Sequence, residues 1–130
     1  MQEKRAIQSE FAPKPIGPYS IGIQFGNLIF TAGQAGIDPQ TGEIISGGIA
    51  AETRQTLKNL QAIVEAGGSS LDRVIKTTVF LRDMTEFAAM NSVYAEFFTS
   101  PFPARTTVQA AALPKGAAVE IEAVAITDGG

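Results

Sequence analysis

The stretch Val74-Ile75-Lys76-Thr77-Thr78-Val79-Phe80-Leu81 decides the fold of this chain. Its β-branched and aromatic residues are typical of a strand, and helical patterns lie before and after it. Side chains alternate between the two faces of a strand, so Lys76 is predicted to point away from the residues on the other face. Those residues are Ile75, Thr77, Val79 and Leu81. The strand is therefore predicted to lie between two helices along the chain.

The pattern before this strand predicts a helix from Ile49 to Ala66. Apolar and small residues recur there at spacings of three and four, as they do on the buried side of a helix. Gly67-Gly68 ends the pattern, because glycine is favoured just after a helix. The residues predicted to be buried are Thr53, Leu57, Leu60 and Val64.

The pattern after the strand predicts a second helix. Asp83 is placed to cap its N-terminus, and Glu86 follows three residues later in the capping-box position. The residues predicted to line its buried side are Phe87, Met90, Tyr94 and either Phe97 or Phe98.

Two further strands are predicted before the first helix and two after the second. Ile21–Phe25 and Leu28–Ala35 flank Gly26-Asn27, which is a two-residue hairpin signal. Ala104–Ala110 and Val119–Ile126 are the last two strands. The order β-β-α-β-α-β-β predicts an α+β fold in which a mixed sheet carries two helices on one face. The length predicts a single domain over residues 1–130.

The last predicted strand has apolar groups on both faces. Val124 and Ile126 accompany Glu120 and Glu122 on the face away from the helices. That face is therefore expected to be covered, and packing of subunits is the simplest cover. We predict a homo-oligomer with sites near the subunit boundary.

The composition narrows the chemistry that is open to the chain. It contains no histidine and no cysteine, which excludes a Ser-His-Asp triad, a Cys/His zinc site, disulfides and thiolate chemistry. No cluster of Asp and Glu has the spacing of metal ligands, so neither a metal nor another cofactor is predicted. Acid–base work falls to Glu, Asp, Lys, Tyr or bound water.

The charge pattern argues against two classes of partner. The net charge of −3 and the absence of a basic stripe give no general attraction to nucleic acid. No apolar run approaches the roughly 18 residues that a membrane-spanning helix needs. The charged first ten residues are unlike a signal peptide. We therefore expect a cytoplasmic protein with neither a nucleic-acid nor a membrane partner.

Arg105 and Glu120 are the strongest candidates for chemistry. If the last two strands pair through the connection at 113–116, the two side chains could converge. An arginine fork binds a carboxylate through two parallel hydrogen bonds, and a glutamate can orient a water molecule. The competing interpretation is a structural Arg–Glu ion pair.

Three more residues are candidates for ligand contact, each with a structural alternative. Tyr19 could wall a pocket or anchor the N-terminal arm. Asn91, on or beside the apolar side of the second helix, could reach a ligand or tie a loop in place. Gly33 could let the backbone approach a ligand closely, or it could mark a bulge.

Motifs spread over nearly the whole chain together resemble the Rid family, also called YjgF. They are Ile16-Gly17-Pro18-Tyr19-Ser20, Phe30-Thr31-Ala32-Gly33-Gln34, Asp38-Pro39-Gln40-Thr41-Gly42-Glu43, the Val74–Leu81 stretch, Phe102-Pro103-Ala104-Arg105, and Leu113-Pro114-Lys115 through Val119-Glu120-Ile121-Glu122-Ala123.

The resemblance implies a chorismate-mutase-like fold and a homotrimer with clefts between adjacent subunits. It implies hydrolytic deamination of short 2-imino acids, 2-iminobutanoate and 2-iminopropanoate, to 2-keto acids and ammonia without a cofactor. Arg105 would grip the substrate carboxylate, and Glu120 would position the attacking water. The residues implied in substrate binding are Tyr19, Gly33, Asn91 and Thr107. The alternative is a trimer that binds keto acids without catalysis, as a regulator.

Two positions depart from the pattern of the family. Many active members carry serine where Ala32 stands, and many carry cysteine where Thr107 stands. The missing serine hydroxyl could shift the substrate preference, whereas backbone contacts survive both changes.

Overall fold

A computed structural model of the chain describes residues 3–128, and within that range seven strands and two α-helices are formed. The strands are β1 (Arg5–Ile7), β2 (Gly22–Phe25), β3 (Leu28–Thr31), β4 (Gln34–Ala35), β5 (Val74–Leu81), β6 (Ala104–Gln109) and β7 (Val119–Ile126). The helices are α1 (Gly48–Ala66) and α2 (Phe87–Phe97). Short 3₁₀ turns lie directly before β5 and α2 and shortly before β7.

The strands form one mixed sheet in the order β1-β2-β3-β7-β5-β6, with β4 also paired to β7. β5 and β6 are parallel, and the other pairs are antiparallel. Residues from both helices share a single buried cluster with one face of the sheet. The predicted α+β fold, a mixed sheet with two helices on one face, is confirmed.

The sheet differs from the predicted one at its N-terminal end. β1 was not predicted, because only three residues form it, which is too few for a pattern of alternation. The predicted strand Leu28–Ala35 is broken into β3 and β4. Residues 31–33 lie opposite only residues 122 and 123 of β7, so the chain bulges there. Thr31 Oγ1 accepts a hydrogen bond from the Ala123 amide at 3.0 Å, which satisfies one donor of β7.

The central strand β5 follows the predicted alternation except at its start. A bulge between Val74 and Lys76 buries Val74 and leaves Ile75 46% exposed. The prediction that Ile75 shares the buried face is therefore wrong. The remainder of that face, Thr77, Val79 and Leu81, is buried as predicted.

The last two strands are not neighbours, so the pairing on which convergence of Arg105 and Glu120 within one chain depended is not formed. β5 lies between β6 and β7, and it is paired with both of them. Because β6 runs parallel to β5, it needs a crossover connection, which α2 supplies. The turn at Pro114–Gly116 then carries the chain across to the other side of β5. Alternation within a strand says which residues share a face, but it does not say which strands are neighbours.

The predicted buried residues of α1 are all in the core: Thr53, Leu57, Leu60 and Val64. Two polar side chains of α1 are buried as well. Glu52 accepts a hydrogen bond from the Ala118 amide at 2.8 Å, just before β7. Asn59 donates to the carbonyl oxygens of Ala35 and Ile37, at 3.1 and 2.9 Å. These bonds tie α1 to β4 and to the start of β7.

The predicted cap of α2 is confirmed in part. The Asp83 side chain accepts a hydrogen bond from the Thr85 amide at 2.9 Å and starts the 3₁₀ turn that leads into the helix. Glu86 does not close a capping box, since its carboxylate reaches Arg82 instead, at 3.3 Å. The predicted buried residues Met90, Tyr94 and Phe98 are in the core, whereas Phe87 is 36% exposed, so its predicted burial is wrong.

The sheet face away from the helices, called here the open face, is apolar in many places. Phe25, Phe30 and Val108 are 46%, 44% and 40% exposed on it. Val124 and Ile126 of β7 are half-buried there, as the sequence pattern predicts.

Neither helix within residues 3–128 is long and apolar enough to cross a membrane.

Candidate active site

Glu120 lies on the open face of β7, beside the bulge between β3 and β4. Its neighbours Val119 and Ile121 are buried against the helices, so its side chain points the other way. A Cβ atom added at Gly33 would lie 2.9 Å from Glu120 Cδ and 3.1 Å from Glu120 Oε2. Gly33 therefore leaves room that no other residue would leave for this carboxylate.

The environment of Glu120 favours its protonated form more than water does. Burial raises the pKa of its carboxyl group, and the Glu122 carboxylate on the same face raises that pKa further. Within residues 3–128, no Lys or Arg lies within ion-pair distance of Glu120. A half-buried carboxylate without a counter-charge is a stronger base than an exposed one.

Tyr19, Gly33 and Glu120 line one cleft of about 590 Å³, called here the Glu120 cleft. The Tyr19 ring is 49% exposed, and its hydroxyl accepts a hydrogen bond from the Ile16 amide at 3.4 Å. Ala32 also lines this cleft. Lys115 lies at its wall with φ = 60°, and its Nζ donates to the Gly42 carbonyl at 2.8 Å.

Arg105 lies on β6 in the other face of the sheet. It is the ladder partner of Thr77, whose side chain is buried against α2. The central carbon of its guanidinium lies 4.7 Å from the centroid of the Tyr94 ring and 5.5 Å from that of Phe87. No Asp or Glu among the described residues lies within ion-pair distance of Arg105.

Arg105 and Asn91 line a second cleft of about 400 Å³, called here the Arg105 cleft, together with Tyr94, Ala95, Phe102 and Pro103. Across residues 3–128 the Asn91 side chain has no hydrogen-bond partner, so it ties no loop in place. Thr107 is half-buried on the same face of β6 as Arg105, but it does not line this cleft.

The structure brings the predicted site residues together in two groups. Tyr19, Gly33 and Glu120 share one cleft, and Arg105 and Asn91 share the other. Because β5 separates their strands and their side chains leave opposite faces, Arg105 and Glu120 do not converge within one chain. The structural ion pair between them, which was the competing interpretation, is not formed in the described chain either.

Two features of the site were not predicted from the sequence. Phe87 and Tyr94 were assigned to the core, yet both rings lie against Arg105. The available signal was their spacing, since Phe87, Asn91 and Tyr94 follow one stripe of a helix. The Lys115 contact had no sequence signal, because it depends on a left-handed backbone at a residue other than glycine.

Metal chemistry receives no support from the arrangement of side chains. Among residues 3–128, no three acidic, histidine or cysteine side chains come together in a way that could hold a metal ion. What the two clefts offer is a guanidinium in one, and a weakly solvated carboxylate in the other. The first can bind an anion, and the second can accept a proton.

The fold and the two clefts define a small mixed-sheet α+β protein in which Glu120 lines one cleft and Arg105 lines the other. The family model described as Endoribonuclease L-PSP matches residues 9–127. The chain therefore belongs to this family, which is the Rid or YjgF family, and the resemblance drawn from its motifs is confirmed.

Curated relatives match the chain over nearly its full length. A RutC family protein of Pyrococcus horikoshii is 57% identical over 94% of this chain and 97% of its own. The 2-iminobutanoate/2-iminopropanoate deaminase of Homo sapiens is 47% identical over 95% of this chain and 90% of its own. The protein of the same name from Escherichia coli K12 is 46% identical, with 94% and 97% covered.

Solved structures share the fold. The crystal structure of E. coli TdcF with bound serine has a TM-score of 0.90 and 42% sequence identity, covering 95% of this chain and 99% of that one. The E. coli YjgF gene product has a TM-score of 0.89 at 45% identity, with 94% and 98% covered.

Proposed function

We propose that this protein hydrolyses short 2-imino acids, 2-iminobutanoate and 2-iminopropanoate, to 2-keto acids and ammonia. The observation that carries the proposal is the pair of cleft residues Arg105 and Glu120, each of which lacks a counter-charge within the described chain. Such substrates carry one carboxylate and one carbon that water attacks, which matches one anion site and one base. Relatives at 46% and 47% identity that carry the deaminase name support the assignment.

The active unit of this proposal is a homotrimer with its sites at the subunit interfaces. Arg105 and Glu120 lie on opposite faces of one sheet, so a complete site needs the Arg105 cleft of one copy against the Glu120 cleft of another. Two different surfaces that meet head to tail generate a ring when the rotation between neighbouring copies closes, and a rotation of one third of a turn gives a trimer. Contact between copies would also cover part of the apolar open face.

Arg105 binds the substrate carboxylate through two parallel hydrogen bonds and so fixes the position of the 2-carbon. Glu120 of the adjacent copy accepts a proton from water as the water oxygen bonds to the carbon of the protonated imine. Glu120 then returns that proton to the amine nitrogen of the carbinolamine. The C–N bond breaks, ammonia leaves, and the hydroxyl group gives its proton to the Glu120 carboxylate as the keto group forms.

The other candidate residues support these two groups in the proposal. Tyr19 walls the Glu120 cleft, and Gly33 gives its carboxylate room. Asn91 offers an amide without a protein partner beside Arg105. Thr107 lies two residues after Arg105 on the same face of β6, where a substrate held between copies could meet it. We also propose a cytoplasmic location, where enzymes that release imino acids would supply the substrate.

In the test, an amino-acid oxidase generates 2-iminobutanoate in the reaction mixture, and semicarbazide traps the imine that has not been hydrolysed. We expect the protein to accelerate the loss of the imine. Arg105→Ala should lower the rate at least about 100-fold, because the carboxylate is no longer positioned. Arg105→Lys should also be poor, since an ammonium group cannot form the two-point contact.

The matched control is Arg54→Ala, which removes an exposed arginine that is paired with Glu96 at 2.6 Å. Exposed ion pairs contribute little to stability, so this variant should keep wild-type activity. Full activity of a folded Arg105→Ala variant would remove Arg105 from the mechanism.

A second candidate function is binding of a small carboxylate without catalysis. The structure of TdcF with bound serine favours it, because serine carries a carboxylate that Arg105 could hold. The same assay separates the two functions. Saturable binding of 2-oxobutanoate without any acceleration of imine hydrolysis would support the binder. The net charge of −3 gives no support to an activity on RNA.

A further inference from the structure

Among residues 3–128, the Arg105 guanidinium lies against aromatic rings and has no acidic partner. Its central carbon lies over the Tyr94 ring at 4.7 Å and over the Phe87 ring at 5.5 Å. An ion pair would engage the N–H groups that a substrate carboxylate needs. An aromatic ring attracts the charge of the guanidinium without a carboxylate partner, so no acid takes up the N–H groups that a substrate carboxylate needs.

The Tyr94 ring is itself fixed from two sides. Its hydroxyl group lies 2.7 Å from Thr77 Oγ1 in a buried hydrogen bond. Its ring packs on Phe98, with 4.6 Å between the ring centroids. Thr77 is also the ladder partner of Arg105 between β5 and β6. Thr77 therefore fixes the position of the Tyr94 hydroxyl through its side chain and of the Arg105 backbone through strand pairing.

The hydroxyl group of Tyr94 remains a neutral partner at physiological pH. Burial raises its pKa, and this effect outweighs the opposing effects of the Thr77 hydrogen bond, the Arg105 charge and a weaker hydrogen-bonding contribution from the Arg105 guanidinium. A neutral phenol beneath the guanidinium does not cancel its charge, as a carboxylate in the same place would.

We propose that Tyr94 is the positioning residue for Arg105, and that Thr77 locks the Tyr94 ring through the buried hydroxyl pair. The ring restricts the long arginine side chain to the orientation in which its N–H edge faces the Arg105 cleft. Less conformational freedom is then lost when a carboxylate binds. This inference rests on the proposed function, in which Arg105 binds the substrate carboxylate.

The test measures the dissociation constant of 2-oxobutanoate by NMR titration, together with kcat and KM for 2-iminobutanoate. Tyr94→Leu should weaken 2-oxobutanoate binding about tenfold and raise KM by a similar factor, with a smaller change in kcat. Phe97→Leu is the matched control, because it removes a ring from the same helix at a position that does not line the Arg105 cleft. It should leave both constants unchanged.

A double-mutant comparison distinguishes a positioning role of Tyr94 from a purely structural one. In an Arg105→Lys background, Tyr94→Leu should change the dissociation constant less than about twofold, because an ammonium has no planar edge to orient. An equal loss in both backgrounds, or normal binding by Tyr94→Leu itself, would overturn the proposal.

Milder variants keep the test usable if Tyr94→Leu does not fold. Tyr94→Phe and Thr77→Val break the same hydrogen bond, so each should weaken binding and the pair should weaken it no more than either alone. Additive losses, or none, contradict the role of Thr77.

If Arg105→Ala binds 2-oxobutanoate normally, the proposed function fails. If only the Tyr94 and Thr77 variants bind normally, the positioning inference alone fails.

Discussion

At the scale of single residues, the pKa of Glu120 links structure to the pH dependence of the proposed reaction. Burial and the neighbouring Glu122 both raise that pKa. A base must be deprotonated to act, so kcat/KM should fall as the pH drops through the pKa of Glu120. In the proposed trimer the Arg105 guanidinium of the adjacent copy opposes both effects, because a nearby positive charge lowers the pKa of a carboxyl group. The acidic limb of the pH profile reports the balance of these effects.

Glu122→Gln should move that limb to lower pH. Removal of the adjacent negative charge makes the charged form of Glu120 less unfavourable, which lowers its pKa. The measurement is the pH profile of kcat/KM for 2-iminobutanoate. Glu65→Gln makes the same change of charge on the exposed side of α1, outside both clefts, and should leave the limb in place. A limb that stays fixed in Glu122→Gln would mean that Glu120 does not set it.

The sequence singled out Arg105 and Glu120, but it did not reveal which side chains lie against them. Arg105 and Glu120 stood out because few other groups in this chain can do chemistry. Tyr94 did not, because a tyrosine at helical spacing among apolar residues is usually core. Its ring is indeed core on one side, and only the position of β6 shows that the other side meets Arg105.

At the scale of elements, the break between β3 and β4 is what makes space for a carboxylate on β7. Gly33→Ala should lower kcat/KM by at least about tenfold, because the new Cβ would displace the Glu120 side chain. Gly33 does not need a left-handed backbone, so the melting temperature should change little. Activity at the wild-type level in this variant would show that the Glu120 position is not critical.

Gly17→Ala is the matched control for that substitution. A Cβ at Gly17 would meet only Tyr19, at an ordinary contact distance of 3.6 Å. It should therefore keep most of the activity. Kinetics and thermal melting of the two variants together separate a local displacement from a general loss of folding.

The elements also show where prediction from the sequence ends. Both helices and the main strands follow from their spacing, because the repeat of a helix and the alternation of a strand are local properties. The pairing of β6 with β5, and not with β7, is not local. Bulges at Ile75 and at Gly33 shift the register without any change in composition, so alternation alone placed Ile75 on the wrong face.

At the scale of the whole molecule, a site built from two copies predicts that two inactive variants can restore activity together. A site within one chain predicts no such recovery. Arg105→Ala and Glu120→Gln should each be inactive alone. When equal amounts are unfolded, mixed and refolded together, each site draws Arg105 from one copy and Glu120 from its neighbour. About a quarter of the sites then have both groups intact, so about a quarter of wild-type activity should return.

The readout is imine hydrolysis by the refolded mixture, with each variant refolded alone as the control. A mixture as inactive as its parents, but with the oligomeric state of the wild type, would place both groups of each site in one chain.

The opposite placement of Arg105 and Glu120 on the two faces of one sheet also makes the proposed activity depend on concentration. Under the proposed assembly, a single chain has no complete site until it meets a second copy. Specific activity would then decline on dilution below the concentration at which the copies associate, so the abundance of the protein itself would switch the enzyme on.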